Sequence, residues 1–80
     1  MIFKVTEYFK YTRIRQDRIE IKDEWILKVI TQPVKVVKQT DGRYKKWAYI
    51  DEVDKYLRVI LLEDDETVHN AFFDRRFKEN

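Results

Sequence analysis

The hydrophobic pattern of the chain changes its period at Pro33, the only proline in the sequence. Before Pro33, apolar residues recur at the three- and four-residue spacing of an amphipathic helix. After it, they alternate as in strands. Asp41 and Gly42 lie between two such runs, where this dipeptide is a strong signal for a two-residue type I′ hairpin turn. Helices followed by consecutive antiparallel strands make an α+β domain, which is the fold class that the sequence predicts.

Two short helices are predicted before Pro33. The first is expected over roughly residues 5 to 16, from the helical spacing of Ile2, Val5, Tyr8, Phe9 and Thr12. These residue types also suit a strand. The second helix begins at Asp23 and Glu24, because the helix dipole favours acids at its start. It ends before Pro33, which pushes Gln32 towards an extended conformation.

A four-stranded antiparallel meander is predicted after Pro33, with the two helices packed on it. A two-residue turn at Asp41 and Gly42 pairs Val36 with Trp47. For Trp47 to stay on the core face, the next strand must pair it with Val59. A two-residue turn at positions 64 and 65 then pairs Leu57 with Phe72. The predicted aromatic core comprises Trp25, Trp47, Tyr49, Phe72 and Phe9.

Length and composition point to one domain over residues 1–80. The chain is 44% apolar with twelve aromatic residues, and its charges nearly cancel to +2, so it is expected to fold. Residues 1–40 carry nine Lys or Arg against five Asp or Glu, a bias that permits contact with RNA or an acidic partner. The absence of cysteine fits a reducing cytoplasm. No apolar stretch approaches the roughly 20 residues of a membrane span, so no membrane partner is expected.

The opposite face of the predicted sheet mixes cations with aromatic rings. Arg58 would lie between Ala48 and Ala71, whose small side chains leave its guanidinium approachable, and His69 would lie one row away. Arg offers a planar fork of donors for phosphate oxygens, and exposed rings can stack on unpaired bases. This face therefore predicts an anion site suited to RNA.

Metal-independent RNA cleavage needs a proton-transfer group and positive charge on the phosphate. His69, the only imidazole, is the candidate acid or base, and Arg58 is the candidate phosphate clamp. The candidate substrate-binding residues are Lys46, Tyr44, Tyr56, Arg75 and Arg76. No motif for a cofactor or a metal is present, so neither is expected. Structural alternatives stay open: a lone His on a strand is commonly a hydrogen-bonded residue, and Arg58 could pair with Glu52, Asp54 or Asp74.

Two resemblances add to this interpretation. Through KYLRVILLED, TVHNAFFDR and the upstream DGR…W, the chain resembles a group of small bacterial proteins, frequent in cyanobacteria, that carries no assigned activity. Its order of helices and strands, with the basic and aromatic segment 73–77, resembles the RelE and BrnT superfamily of toxin ribonucleases.

The second resemblance implies a RelE-like architecture, action on RNA and an antitoxin partner. The alternative is a non-enzymatic protein-interaction or regulatory module in which Arg58 and His69 bind a partner protein. The pattern carries no signal for an oligomeric state.

Overall fold

The computed structural model describes residues 3–15 and 20–79. Ile2, whose spacing contributed to the prediction of the first helix, and Gln16, at its predicted end, lie outside this part of the chain. The elements are α1 (Glu7–Thr12), α2 (Asp23–Thr31), β1 (Lys35–Lys38), β2 (Tyr44–Ile50), β3 (Lys55–Leu61) and β4 (Val68–Phe73). The strands form one antiparallel sheet in the order β1-β2-β3-β4. The predicted α+β class, with two helices and a four-stranded antiparallel sheet, is confirmed.

The first helix is shorter than the predicted range of 5–16. It begins after Thr6, whose hydroxyl accepts a hydrogen bond from the N–H of Phe9. The residues before it are extended, because the N–H of Thr6 donates to Val68 and the N–H of Val68 donates to Lys4. Val5, predicted to be helical, instead forms a parallel bridge with Val68 at the edge of β4. The strand preference of Val and Thr explains the error.

The second helix begins at Asp23 as predicted and ends two residues before Pro33. Ile26 and Val29 on its apolar face have no solvent exposure. The helix contacts β2 and β3, whereas α1 contacts β4. Neither described helix, at six and nine residues, has the length to cross a membrane.

The core lies between the helices and one face of the sheet. Its buried members are Phe9, Ile21, Trp25, Ile26, Val29, Ala48, Ile50, Leu57, Val59, Leu61, Val68 and Ala71. Full burial of a large apolar side chain contributes about 1.5 to 3 kcal/mol. The core positions predicted for Trp25 and Phe9 are confirmed, whereas Tyr49 and Phe72 are half-buried and outside this cluster.

The first hairpin turn contains three residues, where two were predicted. The N–H of Gly42 donates to the carbonyl of Gln39, and the N–H of Gln39 donates to Arg43. The positive φ predicted for Gly42 is confirmed at 92°. A type I turn followed by a left-handed Gly uses the same Asp-Gly dipeptide as a type I′ turn. The extra residue moves the register by one, so that Trp47 pairs with Lys35 and not with Val36.

The second hairpin is also displaced by one residue from the prediction. Its loop spans residues 51–54 and ends at Asp54, whose φ is 54°. Trp47 therefore pairs with Arg58 and not with Val59. A shift of one residue moves every side chain of a strand to the other face. Trp47 and Tyr49 consequently lie on the face of the sheet turned away from the helices, called the outer face below, and the prediction that Trp47 shares a face with Leu57 and Val59 is wrong.

The third hairpin contains a β-bulge that the sequence analysis missed. Leu61 pairs with Val68 as predicted, but the register then shifts, and Ile60 pairs with Asn70. His69 is thus an extra residue in β4. Beyond the bulge, Arg58 pairs with Phe72.

Candidate functional site

Arg58 lies on the outer face between two aromatic rings. Its guanidinium carbon is 4.3 Å from the ring centroid of Phe72 and 5.9 Å from that of Trp47. Its Nε lies 3.5 Å from the carboxylate of Asp74. The predicted neighbours, Ala48 and Ala71, belong instead to the core on the other face. An aromatic sandwich and an ion pair therefore hold the side chain that was predicted to be openly accessible.

Asp74 connects Arg58 to the segment that follows β4. Its carboxylate accepts hydrogen bonds from the indole N–H of Trp47, at 3.0 Å, and from the backbone N–H of Arg76, at 3.1 Å. Burial acts to raise the pKa of Asp74, but these hydrogen bonds and the charge of Arg58 outweigh it, and the pKa lies below its usual value. Asp74 is therefore ionised at neutral pH and balances the charge of Arg58.

Phe77 covers the outer face beside this ion pair. Its ring stacks on Trp47 with centroids 4.8 Å apart, and it meets Tyr56 edge-on at 4.9 Å. These contacts leave Trp47 only 7% exposed. The predicted burial of Trp47 is confirmed, although Phe77 and Asp74 provide it and the helices do not.

His69 contacts the segment that leads into α1. Its Nδ1 lies 3.1 Å from the hydroxyl oxygen of Thr6, and its ring stacks on Tyr8 at 4.8 Å. Burial, and then the charge of Arg43, lower the pKa of His69 below its ordinary value of 6.5. The imidazole is therefore neutral at pH 7, the form that can accept a proton but not donate one as an acid.

The structure does not place His69 beside Arg58. Phe72, the partner of Arg58, is three residues from His69 along β4, which corresponds to roughly 10 Å of strand. The prediction that His69 lies only two positions along β4 from the residue that pairs with Arg58 is therefore wrong. Arg58 contacts Trp47, Phe72 and Asp74, whereas His69 contacts Thr6 and Tyr8. Their roles in RNA chemistry stay predictions.

Lys46 and Tyr44 lie on the helix-facing side of β2, not on the outer face as predicted. Lys46 is 8% exposed; its Nζ lies 3.0 Å from the carboxylate of Asp65 and donates to the carbonyl of Ile30. Tyr44 packs against the core, with the Nζ of Lys38 5.6 Å from its ring centroid. The register shift explains both positions.

Two of the predicted substrate-binding residues, Tyr56 and Arg75, line one cavity of about 240 Å³. This cavity is called the C-terminal cleft below, and its lining residues are Asp54, Lys55, Tyr56, Phe73, Asp74, Arg75 and Phe77. The Nζ of Lys55 lies 5.4 Å from the ring centroid of Phe73. The hydroxyl of Tyr56 donates to Glu79, which raises the pKa of this tyrosine. Arg76, also predicted, is exposed and directly follows the lining residue Arg75.

Lys55 and Phe77 line this site but were not predicted from the sequence. The alternation of rings and cations in Phe73–Phe77 was the available signal, but the folding of this segment over Trp47 has no local sequence pattern. Chemically, the C-terminal cleft offers aromatic walls for stacking and cations for phosphate oxygens.

Among the residues that the structure describes, no group of His, Asp and Glu side chains is arranged to hold a metal ion. Comparisons with family models, with curated proteins and with solved structures gave no match.

Proposed function

We propose that this domain binds single-stranded RNA at the C-terminal cleft, as a toxin-like, RNA-directed protein. The observation that carries the proposal is a cavity walled by Tyr56, Phe73 and Phe77, with Lys55 and Arg75 among its lining residues. Stacking of a base on an aromatic side chain contributes about 1 to 3 kcal/mol and tolerates any base. Cations beside such rings then bind the phosphates that flank the stacked base.

The size of the cleft supports a single unstacked base as its occupant. Pockets for drug-sized ligands occupy about 300 to 1,000 Å³, and this cavity is smaller, at about 240 Å³. A base in a duplex is stacked on both sides and cannot enter such a cavity, so single-stranded RNA is the favoured form.

The charges around the cleft also favour a polyanion. Asp74 is paired with Arg58, so its charge is balanced. Lys55 offsets the charge of Asp54, which also lines the cleft, and the carboxylate of Glu79 keeps its charge while it accepts the hydrogen bond of Tyr56. Arg75, Arg76 and Lys78 supply three cations within four residues, and each contact of such a side chain with a phosphate releases counterions from the RNA.

RNA cleavage is a further part of the toxin-like proposal. The resemblance to the RelE and BrnT toxins implies a metal-independent ribonuclease with a RelE-like architecture, an antitoxin partner and a cytoplasmic location. In that mechanism the neutral imidazole of His69 is the candidate general base and Arg58 the phosphate clamp. The separation between these two residues favours binding over cleavage as the primary activity.

The test measures binding of a fluorescein-labelled, single-stranded RNA of mixed sequence by fluorescence anisotropy at several salt concentrations. Lys55→Ala and Arg75→Ala should each weaken binding and reduce the slope of log K against log salt by about 0.7, because one phosphate contact with a single strand is lost. Lys10→Ala on α1, remote from the cleft in sequence and exposed, is the matched control and should bind as the wild type does. Affinity and salt slope unchanged in both cleft variants would exclude the cleft as the RNA site.

Cleavage is read from the same RNA on a denaturing gel. If the protein cleaves it, His69→Ala should abolish cleavage and leave binding largely intact, because a proton-transfer group acts mainly on the transition state. Induced expression that neither arrests growth nor degrades RNA, combined with no RNA binding, would favour the protein-interaction module.

A further inference from the structure

The edge of the sheet at β1 is exposed. The strand order places β1 at one end of the sheet, whereas residues 4–6 pair with Val68 at the other end. All four residues of β1 are exposed, and Val36 and the preceding Val34 each expose 48% of their surface. The unpaired backbone groups of an exposed edge strand can form hydrogen bonds with another extended chain, and its apolar side chains can pack against that chain.

The free side of β1 presents backbone hydrogen-bonding groups. The N–H of Gln39 donates to the carbonyl of Arg43, which directly precedes β2. Because the two sides of an antiparallel strand alternate residue by residue, the N–H and C=O groups of Val36 and Lys38 point away from β2. Two donors and two acceptors on this edge are thus available to an added strand.

The charge of this hairpin indicates what kind of chain would pair with β1. Residues 34–50 contain five Lys or Arg and a single Asp. Pairing two copies of β1 would bring four exposed lysines, Lys35 and Lys38 of each copy, to one shared edge, where like charges repel each other. The same lysines would instead attract carboxylates, which disfavours a second copy of this chain and favours an acidic partner.

We propose that β1 binds an extended, acidic segment of a partner protein, which adds to the sheet as a fifth strand. The backbone groups of Val36 and Lys38 supply the ladder, the exposed valines supply apolar contact, and the lysines select acidic residues. β1 is the sheet edge farthest from β4, so partner binding there does not depend on RNA binding at the C-terminal cleft.

The first experiment uses a synthetic peptide of alternating Glu and Val with blocked ends. Its binding should protect the backbone amides of Val36 and Lys38 from hydrogen exchange. The double variant Lys35→Glu with Lys38→Glu should weaken the affinity by about tenfold. The double variant Lys10→Glu with Arg15→Glu reverses the same number of exposed charges away from β1 and should leave the affinity unchanged. A peptide of alternating Lys and Val should bind to the wild type much more weakly.

A second variant separates the edge from the rest of the fold. Val36→Pro removes one outward-facing N–H and no bond to β2, and proline is tolerated on an edge strand. It should therefore retain its fold by circular dichroism and lose peptide binding. Equal peptide affinity in a folded Val36→Pro, or amides that stay unprotected in the wild type, would overturn the proposal. So would a concentration-dependent dimer that Val36→Pro abolishes, because β1 would then pair with itself.

Discussion

Replacing Asp74 with Ala tests how the outer face is held together. The change removes the acceptor of the Trp47 indole N–H, 3.0 Å away, and the partner of the Arg58 guanidinium, 3.5 Å away. Loss of a hydrogen bond to a charged group costs about 1.5 to 3 kcal/mol. Arg58 keeps 23% of its side chain exposed, so water offsets part of the loss of its ion pair. We expect a loss of roughly 2 to 4 kcal/mol.

This loss is large for an 80-residue domain, whose total stability is of the order of 4 to 12 kcal/mol. It should lower the melting temperature, followed by circular dichroism, by roughly 10 to 30 °C. Asp51→Ala, which removes an exposed carboxylate from the β2–β3 loop, is the control and should melt close to the wild type. A melting temperature of Asp74→Ala within about 3 °C of the wild type would show that the carboxylate does not hold this face.

Acidity provides an independent check of the same group. The pKa of Asp74 is lowered in the folded state, so its contribution to stability is present above its unfolded pKa and is lost as the pH falls through the lowered value. The stability difference between the wild type and Asp74→Ala should therefore shrink as the pH falls below about 4. A difference that grows with acidity would contradict this assignment.

Three further changes test the turns and the core. Gly42→Val should cost about 1 to 3 kcal/mol in urea unfolding, because φ is +92° and a Cβ would lie 2.8 Å from Cγ of Glu63; an unchanged midpoint would remove the turn assignment. Hydrogen bonds from the Thr67 side chain and backbone lower the pKa of Asp64 to about 2. The melting temperature of Asp64→Asn should therefore decrease less than that of the wild type between about pH 4 and pH 2, and identical pH profiles would contradict this. Ile26→Ala should cost about 2 to 5 kcal/mol, since Ile26 has no solvent exposure, and a loss below about 1 kcal/mol would place it outside the core.

The class of fold was predictable because its signals are local. The acids at the start of α2, the position of Pro33 and the Asp-Gly dipeptide each act over a few residues. The strand registers were not predictable, because a difference of one residue in the length of a loop shifts the pairing of the two strands that it joins. The shift of one residue at the β2–β3 loop, which ends at Asp54, reversed the predicted faces of Trp47 and Lys46.

The candidate site was predictable only where it is continuous in sequence. The basic and aromatic segment after β4 was recognised from its composition, and Asp74 was one of three partners considered for Arg58. The bulge at His69 gives no sequence signal, since nothing in the residues around it demands an extra residue. The bulge moved His69 one position farther from the residue that pairs with Arg58, although these two side chains were expected to bind one phosphate.

The pairing of residues 4–6 with Val68 also governs when the domain can fold during synthesis. Thr6, which caps α1, bonds to a residue more than 60 positions later in the chain. Contacts of such long separation slow folding, because the intervening chain must close first. On the ribosome, α1 therefore cannot dock until β4 has emerged, and the side chain of Phe9, which is buried in the folded domain, stays exposed throughout that interval. A chaperone that recognises short apolar segments should bind the nascent chain in this window and release it once Val68 is available.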